Sequence, residues 1–396
     1  MIAAMISKVI GLLYKIPLSN IIGSLGMGYT SLAQNAYMIL LMIASFSIPQ
    51  AVSKLISERI ALKDYRNAHK FFKGAMIYAM VIGGVVGLFC LFGAGLIIPQ
   101  NQKDAIPALQ ILAPTIFLSG ILGVFRGYFQ AYRNMMPTSI SQIIEQVFNA
   151  VISIVGASVL FGIGTKAGEK SGEELLGPAY GAAGSTLGTV IGSLSGLLFL
   201  LFVIFLYKNV IRKQLKRDRT KNVESYSFLL KALLLTAIPV VFSTAVYNIN
   251  QIIDLTIFNH VMESQGYVEK EYMALQGIYT GKYDTLINVP MAIANALGTS
   301  LVPSLTAVVT AGTKKQVHSK INQTLRLTMV IAIPSCIGYF VLASPIMVLL
   351  YNDSSATPAR LLMAGAIVVV LYGLSSVTNS CLLYTSPSPR DPKTSR

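Results

Sequence analysis

The sequence predicts an all-α polytopic membrane protein, with about ten transmembrane helices in two parallel-repeat lobes, of which the second is incomplete. Three observations carry this prediction: the composition, the spacing of the apolar stretches, and an internal repeat. The chain is 54% hydrophobic and only 12% charged, with a mean hydropathy of +0.63. An ordinary soluble domain carries about 25% charged residues. The chain therefore lacks the polar residues that a water-soluble surface needs.

Apolar stretches of about 20 residues or more recur along the whole chain, each long enough to cross about 30 Å of hydrocarbon as a helix. The predicted spans are 2–23, 31–53, 74–98, 107–129, 137–161, 179–207, 228–258, 277–309, 324–350 and 360–383. Lys8 and Lys15 lie inside the first stretch and not ahead of it, so we do not expect a cleaved signal peptide.

The net charge of +15 is distributed in a way that indicates a membrane protein and not a nucleic-acid-binding protein. Basic residues are concentrated in every second loop, most densely at 208–221, whereas the intervening loops are net acidic. By the positive-inside rule, the amino terminus and the basic loops are expected to lie in the cytoplasm. The segment 208–221 is also expected to attract anionic lipid headgroups.

An internal repeat appears when the chain is shifted by 249 residues, which aligns 69–97 with 318–346. Both copies follow a basic loop, and six predicted helices separate them, so the repeats are expected to run parallel. Two such lobes around a central cavity are typical of a transporter. The predicted division is an N-terminal six-helix lobe at 1–208, a basic cytoplasmic linker at 209–227 and a partial C-terminal lobe at 228–383.

Three parts of the chain carry a family resemblance: 7–19 with 48–55, then 125–146, then 281–304. They resemble the multidrug, oligosaccharidyl-lipid and polysaccharide flippase superfamily, in particular its sporulation stage V protein B and lipid II flippase branch. The resemblance implies an alternating-access carrier for undecaprenyl-pyrophosphate-linked saccharides of the cell envelope. It also implies fourteen helices, whereas this chain has ten predicted spans. The tail at 384–396 looks like translated adaptor sequence, so we expect a truncated reading frame.

A pyrophosphate cargo needs cations inside the membrane to replace its lost hydration. Lys8, Lys15, Arg126 and Lys282 are the candidate cavity residues, and the resemblance supports Lys8 through its Ser-basic-x-x-Gly pattern. Lys8 and Lys15, seven residues apart, are expected on nearly the same helix face. The alternatives are that these two lysines extend to the headgroups, and that Lys282 pairs with Asp284 or lies at the outer interface.

Asn250 and Asp254 place oxygen atoms on a predicted span, where Na⁺ or H⁺ coupling would need them. The alternative is a hydrogen-bond network between helices. Glu145 is expected to brace its helix against Arg126 or Arg133. The cysteines and histidines show no ligand spacing, so neither a metal site nor a cofactor is predicted.

The sequence contains no nucleotide-binding, hydride-transfer or nucleophile motif and no catalytic constellation at a loop rim, so it predicts a carrier and not an enzyme. The expected partners are a lipid-linked saccharide and the surrounding lipids, and the expected state is a monomer. A cation-coupled multidrug exporter of the same superfamily is the alternative. Such an exporter would favour an acidic, apolar cavity, and the predicted basic cavity therefore favours the flippase.

Overall fold

Helices make up all the regular structure in the described part of the chain, which confirms the all-α prediction. The computed structural model describes residues 2–173, 175–218, 224–295, 297 and 314–385. Residues 296 and 298–309 of the predicted span 277–309, and the tail from 386, lie outside the described residues.

Within each described stretch of the chain, short connections join successive helices. In chain order they are α1 Ile2–Leu13, α2 Lys15–Leu41, α3 Ile48–Ala61, α4 Tyr65–Ile97, α5 Ile106–Ala131, α6 Met136–Ser171, α7 Leu176–Arg217, α8 Tyr226–Ser264, α9 Glu269–Gly277, α10 at 284–295, α11 Lys314–Val341, α12 Ala343–Tyr351, α13 Ala356–Gly365 and α14 Ile367–Thr385. A π-helical turn at Met42–Phe46 joins α2 to α3, a 3₁₀ turn at Gln100–Ala105 precedes α5, and a π-helical turn at Ile278–Tyr283 joins α9 to α10.

Seven helical segments among the described residues are long and apolar enough to cross a membrane. They are Ile6–Ala61, Tyr65–Ile97, Gln100–Ala131, Met136–Ser171, Leu176–Leu215, Lys315–Val341 and Ala356–Asn379. The protein is therefore a multi-pass membrane protein. The first segment contains two of the predicted spans, 2–23 and 31–53. Its helical geometry is interrupted at Gly23 (φ 69°, ψ 178°), where the first predicted span ends. Glycine tolerates this backbone conformation because it has no Cβ.

Prolines account for two further interruptions. The helix is interrupted between α1 and α2 because Pro17 has no N–H to donate to the carbonyl oxygen of Leu13, where α1 ends. In the same way Pro345 leaves the carbonyl of Val341 without its helical donor, and α11 ends there. The predicted span 324–350 is thus divided between α11 and α12, whereas its repeat counterpart lies within the unbroken helix α4.

The predicted basic linker is partly helical. Helix α7 continues to Arg217, well past the predicted end of its span at 207, because the sequence from 208 to 217 is rich in good helix formers. Basic side chains in a last helical turn also interact favourably with the helix dipole. The predicted lobe boundary at 209–227 stays a prediction.

The chain forms two compact units. The larger unit is Ile21–Gly277, and the smaller unit comprises Met1–Asn20 with Ile278–Arg396. Buried apolar side chains of α2, α4 and α5, including Tyr29, Leu109 and Ile116, form the largest core cluster of the larger unit. In the smaller unit, Tyr283, Ile287, Met347 and Leu362 belong to a separate core cluster.

Helices α6 and α7 pack through small residues. A Cβ on Gly184 would lie 2.2 Å from the carbonyl oxygen of Gly156, and one on Gly188 would lie 2.1 Å from the Ser153 Oγ. Such close backbone approach is the usual way in which membrane helices associate, since apolar side chains gain little by leaving lipid.

Ion pairs and hydrogen bonds hold the connection after α7 against the end of α3 and the start of α4. Arg59 Nη2 lies 2.5 Å from Glu224 Oε2, and Lys70 Nζ donates to the Glu224 carbonyl oxygen at 2.5 Å. The Asn67 side chain accepts from the Glu224 N–H at 2.9 Å, and the Arg66 N–H donates to Asp218 Oδ2 at 2.6 Å. Two acidic residues of one predicted basic loop thereby bind residues of another, which lowers the repulsion between the two loops.

Candidate functional site

Lys15 is the first residue of α2. It is half-buried and belongs to the smaller unit, as does the carboxylate of Asp284 beside it. Asp284, at the start of α10, interacts electrostatically with Lys15, and Asn288 Nδ2 donates to Asp284 Oδ1 at 2.6 Å. A lysine, a carboxylate and an amide therefore form one polar group among apolar helices. Such ionisable residues are costly in hydrocarbon and usually face protein or a wet cavity.

Lys8 lies on α1 with an exposed side chain. Because the helix is interrupted at Tyr14, between Lys8 and Lys15, the two lysines belong to different helices. Helical hydrogen bonds lie on either side of this interruption, from the Tyr14 N–H to the Ile10 carbonyl oxygen and from the Leu18 N–H to the Tyr14 carbonyl oxygen. The shared face of the two lysines stays a prediction.

Lys282 is buried in the smaller unit, in the π-helical turn that precedes α10. Its ammonium is paired with Asp353, in the connection after α12, and lies 5.8 Å from the centre of the Tyr351 ring. One alternative from the sequence was that Lys282 pairs locally with Asp284. In the structure its partner is instead Asp353, which lies 71 residues away along the chain. Burial alone would raise the pKa of the Asp353 carboxyl, but hydrogen bonds from Lys282 and Ser355 hold that pKa below its ordinary value.

We expect Asp353→Asn to destabilise the protein at neutral pH, because it leaves the Lys282 ammonium buried without its anionic partner. A hydrogen bond to a charged group is worth about 1.5–3 kcal/mol. Since the pKa of Asp353 is lower in the folded state, this stabilisation is present above the ordinary pKa of 3.8 and is lost as the pH falls through the folded-state pKa. Thermal unfolding in detergent at neutral and acidic pH measures both effects. An equal difference between wild type and variant at every pH would contradict the prediction.

Arg126 forms the equivalent polar group in the larger unit. From α5, its Nη2 lies 2.6 Å from Glu145 Oε2 on α6, and its Nε donates to the Ser141 Oγ at 3.2 Å. This ion pair confirms that Glu145 braces its helix against Arg126. The Glu145 carboxylate of the neighbouring helix thus neutralises the Arg126 guanidinium in this conformation.

Asn250 and Asp254, the candidates for ion coupling, both lie on α8 with exposed side chains. They are four residues apart and so lie on the same side of the helix. The described residues contain no group of three or more His, Cys, Asp or Glu side chains that could hold a metal ion.

One polar cluster was not found by sequence reasoning. Tyr29 on α2 lies against Asp104 in the 3₁₀ turn and against Glu269 at the start of α9. The three residues are far apart in sequence and share no motif, so no spacing predicted their contact. The only signal was that Asp104 and Glu269 both belong to the predicted acidic loops.

These observations define a polytopic helical membrane protein in which Lys15, Arg126 and Lys282 each lie beside a carboxylate. Comparison with known families gives the more specific result. The family profile of polysaccharide biosynthesis proteins matches residues 1–309, which include Lys8, Lys15, Arg126 and Lys282. The chain belongs to the polysaccharide biosynthesis protein family.

Two relatives from Bacillus subtilis (strain 168) are similar over most of this chain. Lipid II flippase MurJ is 25% identical over 371 residues, covering 89% of this chain and 65% of the relative. Stage V sporulation protein B is 26% identical over 368 residues, covering 91% of this chain and 67% of the relative. The chain thus spans about two thirds of the length of the curated relatives that it matches.

Solved structures share the fold. A multidrug resistance MATE family transporter of the MOP superfamily, in an inward-facing conformation, aligns with a TM-score of 0.63 at 14% identity, covering 95% of this chain and 80% of that one. Lipid II flippase MurJ, in an inward closed conformation, aligns with a TM-score of 0.61 at 18% identity, covering 98% of this chain and 76% of that one. The fold is therefore that of MOP superfamily transporters, as the sequence resemblance implied.

Proposed function

We propose that this protein carries a lipid-linked saccharide with a pyrophosphate headgroup, of the lipid II class, across the cytoplasmic membrane by alternating access. The membership in the polysaccharide biosynthesis family supports the class of cargo, and so does the name of the relative Lipid II flippase MurJ. In this proposal the amino terminus and the basic loops lie in the cytoplasm, and the protein acts as a monomer.

The observation that carries the proposal is the half-buried Lys15 beside Asp284. A lone ammonium inside a membrane protein is costly, and the carboxylate offsets that cost while no cargo is bound. A pyrophosphate carries more negative charge than one carboxylate and accepts more hydrogen bonds. The pyrophosphate therefore competes with Asp284 for the Lys15 ammonium. When the cargo leaves, Asp284 pairs with Lys15 again. This exchange binds an anionic headgroup without leaving Lys15 unpaired at either stage.

The other cations have different parts in this proposal. Lys282 and Arg126 are already paired, with Asp353 and Glu145, and they take part only if the cargo displaces those carboxylates. Lys8 is exposed and is free to meet a headgroup at the membrane surface or in a cavity. Lys15 is therefore the residue whose removal should affect cargo binding most directly.

The test is rescue of Bacillus cells depleted of their own lipid II flippases. The protein, expressed with whatever sequence flanks it in its gene, should restore growth and the appearance of lipid II on the outer membrane surface. We expect Lys15→Ala to lower outward lipid II transport about tenfold or more, which corresponds to about 1.4 kcal/mol of lost binding. Membrane levels of the variant, measured by immunoblot, should equal those of the wild type.

Two control variants sharpen the result. Lys15→Arg keeps the positive charge and should retain most of the activity, whereas Lys166→Ala removes an exposed lysine from α6 and should have no effect. Full rescue by Lys15→Ala would refute the role of Lys15. Failure of the wild type to rescue, with increased resistance to cationic drugs, would favour the multidrug exporter.

A further inference from the structure

The cluster of Tyr29, Asp104 and Glu269 lies at the end of the larger unit that is opposite its basic loops. Helix α4 begins at Tyr65, beside the basic connection from α3, and ends at Ile97, just before the turn that holds Asp104. Glu269 begins the helix that follows α8. The cluster therefore belongs to the predicted acidic side of the protein, which in the proposed orientation is the outer side.

Tyr29 joins the two carboxyl groups. Its side chain is completely buried, and its hydroxyl lies 3.5 Å from Asp104 Oδ2 while also bonding to Glu269. A phenol has one proton to donate and so cannot donate to two carboxylates at once. The second carboxyl group can bond to the hydroxyl oxygen only if it carries a proton itself.

Two further oxygen atoms in this region are shielded from solvent and have no hydrogen-bond donor. One is Glu269 Oε1, and the other is the Oε1 of Gln102, whose side chain is almost fully buried, with 1% of its surface exposed. The amide nitrogen of Gln102 donates to the Tyr272 hydroxyl at 3.2 Å, and that hydroxyl donates to Glu263 at 3.1 Å. Unpartnered acceptors are costly when buried. A proton on Glu269 would give its own unpartnered oxygen a role as a donor in this network.

Titratable groups from several neighbouring elements surround Glu269. Asp104 and Lys103 lie in the 3₁₀ turn, Tyr29 lies on α2, and Tyr272 lies one turn further along α9. More distant are Glu173, which acts on Asp104, and Glu263 at the end of α8. Carboxylates outnumber cations here, and desolvation together with the charge of Asp104 raises the pKa of Glu269 to about 7. Two neighbouring carboxyl groups in such surroundings favour the sharing of one proton.

We propose that Asp104 and Glu269, bridged by Tyr29, form a binding site for a single proton that fastens α2 to α9. The helices are in direct backbone contact beside this site, because a Cβ on Gly28 would lie 2.1 Å from the carbonyl oxygen of Met273 and one on Gly277 would lie 1.7 Å from that of Ser24. When the proton leaves, two carboxylates repel each other across Tyr29, and the contact of α2 with α9 weakens. This inference does not depend on the identity of the cargo.

The experiment is a titration of the purified full-length protein in detergent. Infrared spectroscopy follows the C=O band of a protonated carboxyl group from about pH 5 to about pH 8. The wild type should lose one such band with a midpoint near the pKa of about 7, and Glu269→Gln should lack this titration. Glu271→Gln is the matched control, since Glu271 is an exposed carboxylate on the same helix and its removal should leave the titration unchanged.

Two variants distinguish a proton site from a merely structural contact, because they move the midpoint in opposite directions. Asp104→Asn removes a repulsive charge and should lower the midpoint by about one pH unit. Tyr29→Phe removes the hydroxyl that can donate to Glu269 once Glu269 has lost its proton, and should raise the midpoint. Thermal unfolding gives a second readout. Because the folded-state pKa of Glu269 is raised, its stabilising effect is fully present below the ordinary value of 4.5 and is lost as the pH rises through about 7.

Three outcomes would overturn the proposal. The first is the absence of a carboxyl titration near neutral pH in the wild type. The second is a titration that persists in Glu269→Gln. The third is a midpoint that moves when sodium replaces choline at constant ionic strength, which would indicate a metal cation in place of the proton. A failure of rescue in the flippase assay would leave these titrations unaffected, so the two proposals fail separately.

Discussion

We expect Gly184→Leu to abolish the folded protein almost completely. The new side chain would start from a Cβ only 2.2 Å from the carbonyl oxygen of Gly156 and 2.8 Å from the backbone nitrogen of Ala157, so α6 and α7 would have to move apart. Overpacking usually costs about 1–3 kcal/mol, and more where the collision is with backbone. Separation would also expose the buried Ser153 hydroxyl, which donates to the Ser185 carbonyl oxygen at 2.7 Å, to lipid.

The yield of monodisperse protein after solubilisation in detergent measures this effect. Gly162→Leu is the matched control, because Gly162 lies on α6, the helix that packs against α7, and a Cβ there would meet nothing within 4 Å. Equal yields of the two variants would show that the α6–α7 contact does not depend on the small residues. Gly184→Ala should fall between them, since its single methyl group meets the same carbonyl oxygen.

The membrane-spanning class and most of the helix positions could be predicted from the sequence, because length and apolarity decide whether a helix enters the bilayer. The first predicted span ends at 23, which is where Gly23 interrupts the helix. The helix interruptions after Leu13 and Val341 were missed. Each depends on one proline inside an apolar stretch, and transmembrane helices often contain prolines without ending there.

The partners of the charged residues were harder to predict than the residues themselves. Lys282 was identified as an unusual charge within a span, but its partner Asp353 lies 71 residues away, and no local pattern connects the two. Arg126 and Glu145 were matched correctly because they are 19 residues apart on consecutive helices that a short turn joins. Contacts between neighbouring helices follow from topology, whereas contacts between distant segments depend on tertiary packing. The Tyr29 cluster belongs to this second kind.

The second large effect is expected at the pair of Arg126 and Glu145. Arg126→Ala leaves the Glu145 carboxylate, which has 22% of its side chain exposed, without its cation between two helices. Removing one partner of such a pair costs about 3–5 kcal/mol, because the remaining charge is poorly solvated. The thermal unfolding temperature in detergent should therefore fall strongly. Lys166→Ala, which removes an exposed charge from α6, serves as the control and should change it little.

The double variant Arg126→Gln/Glu145→Gln separates the structural role of Arg126 from a role in cargo binding. Two amides of similar size can bond to each other and leave no charge uncompensated, so most of the lost stability should return. If Arg126 also binds the pyrophosphate, the stable double variant should still fail to rescue flippase-depleted cells. If it rescues them fully, the guanidinium acts as a brace between α5 and α6, and Lys15 becomes the principal cation for the cargo. A double variant as unstable as Arg126→Ala would contradict the assignment of the stability loss to an unpaired carboxylate.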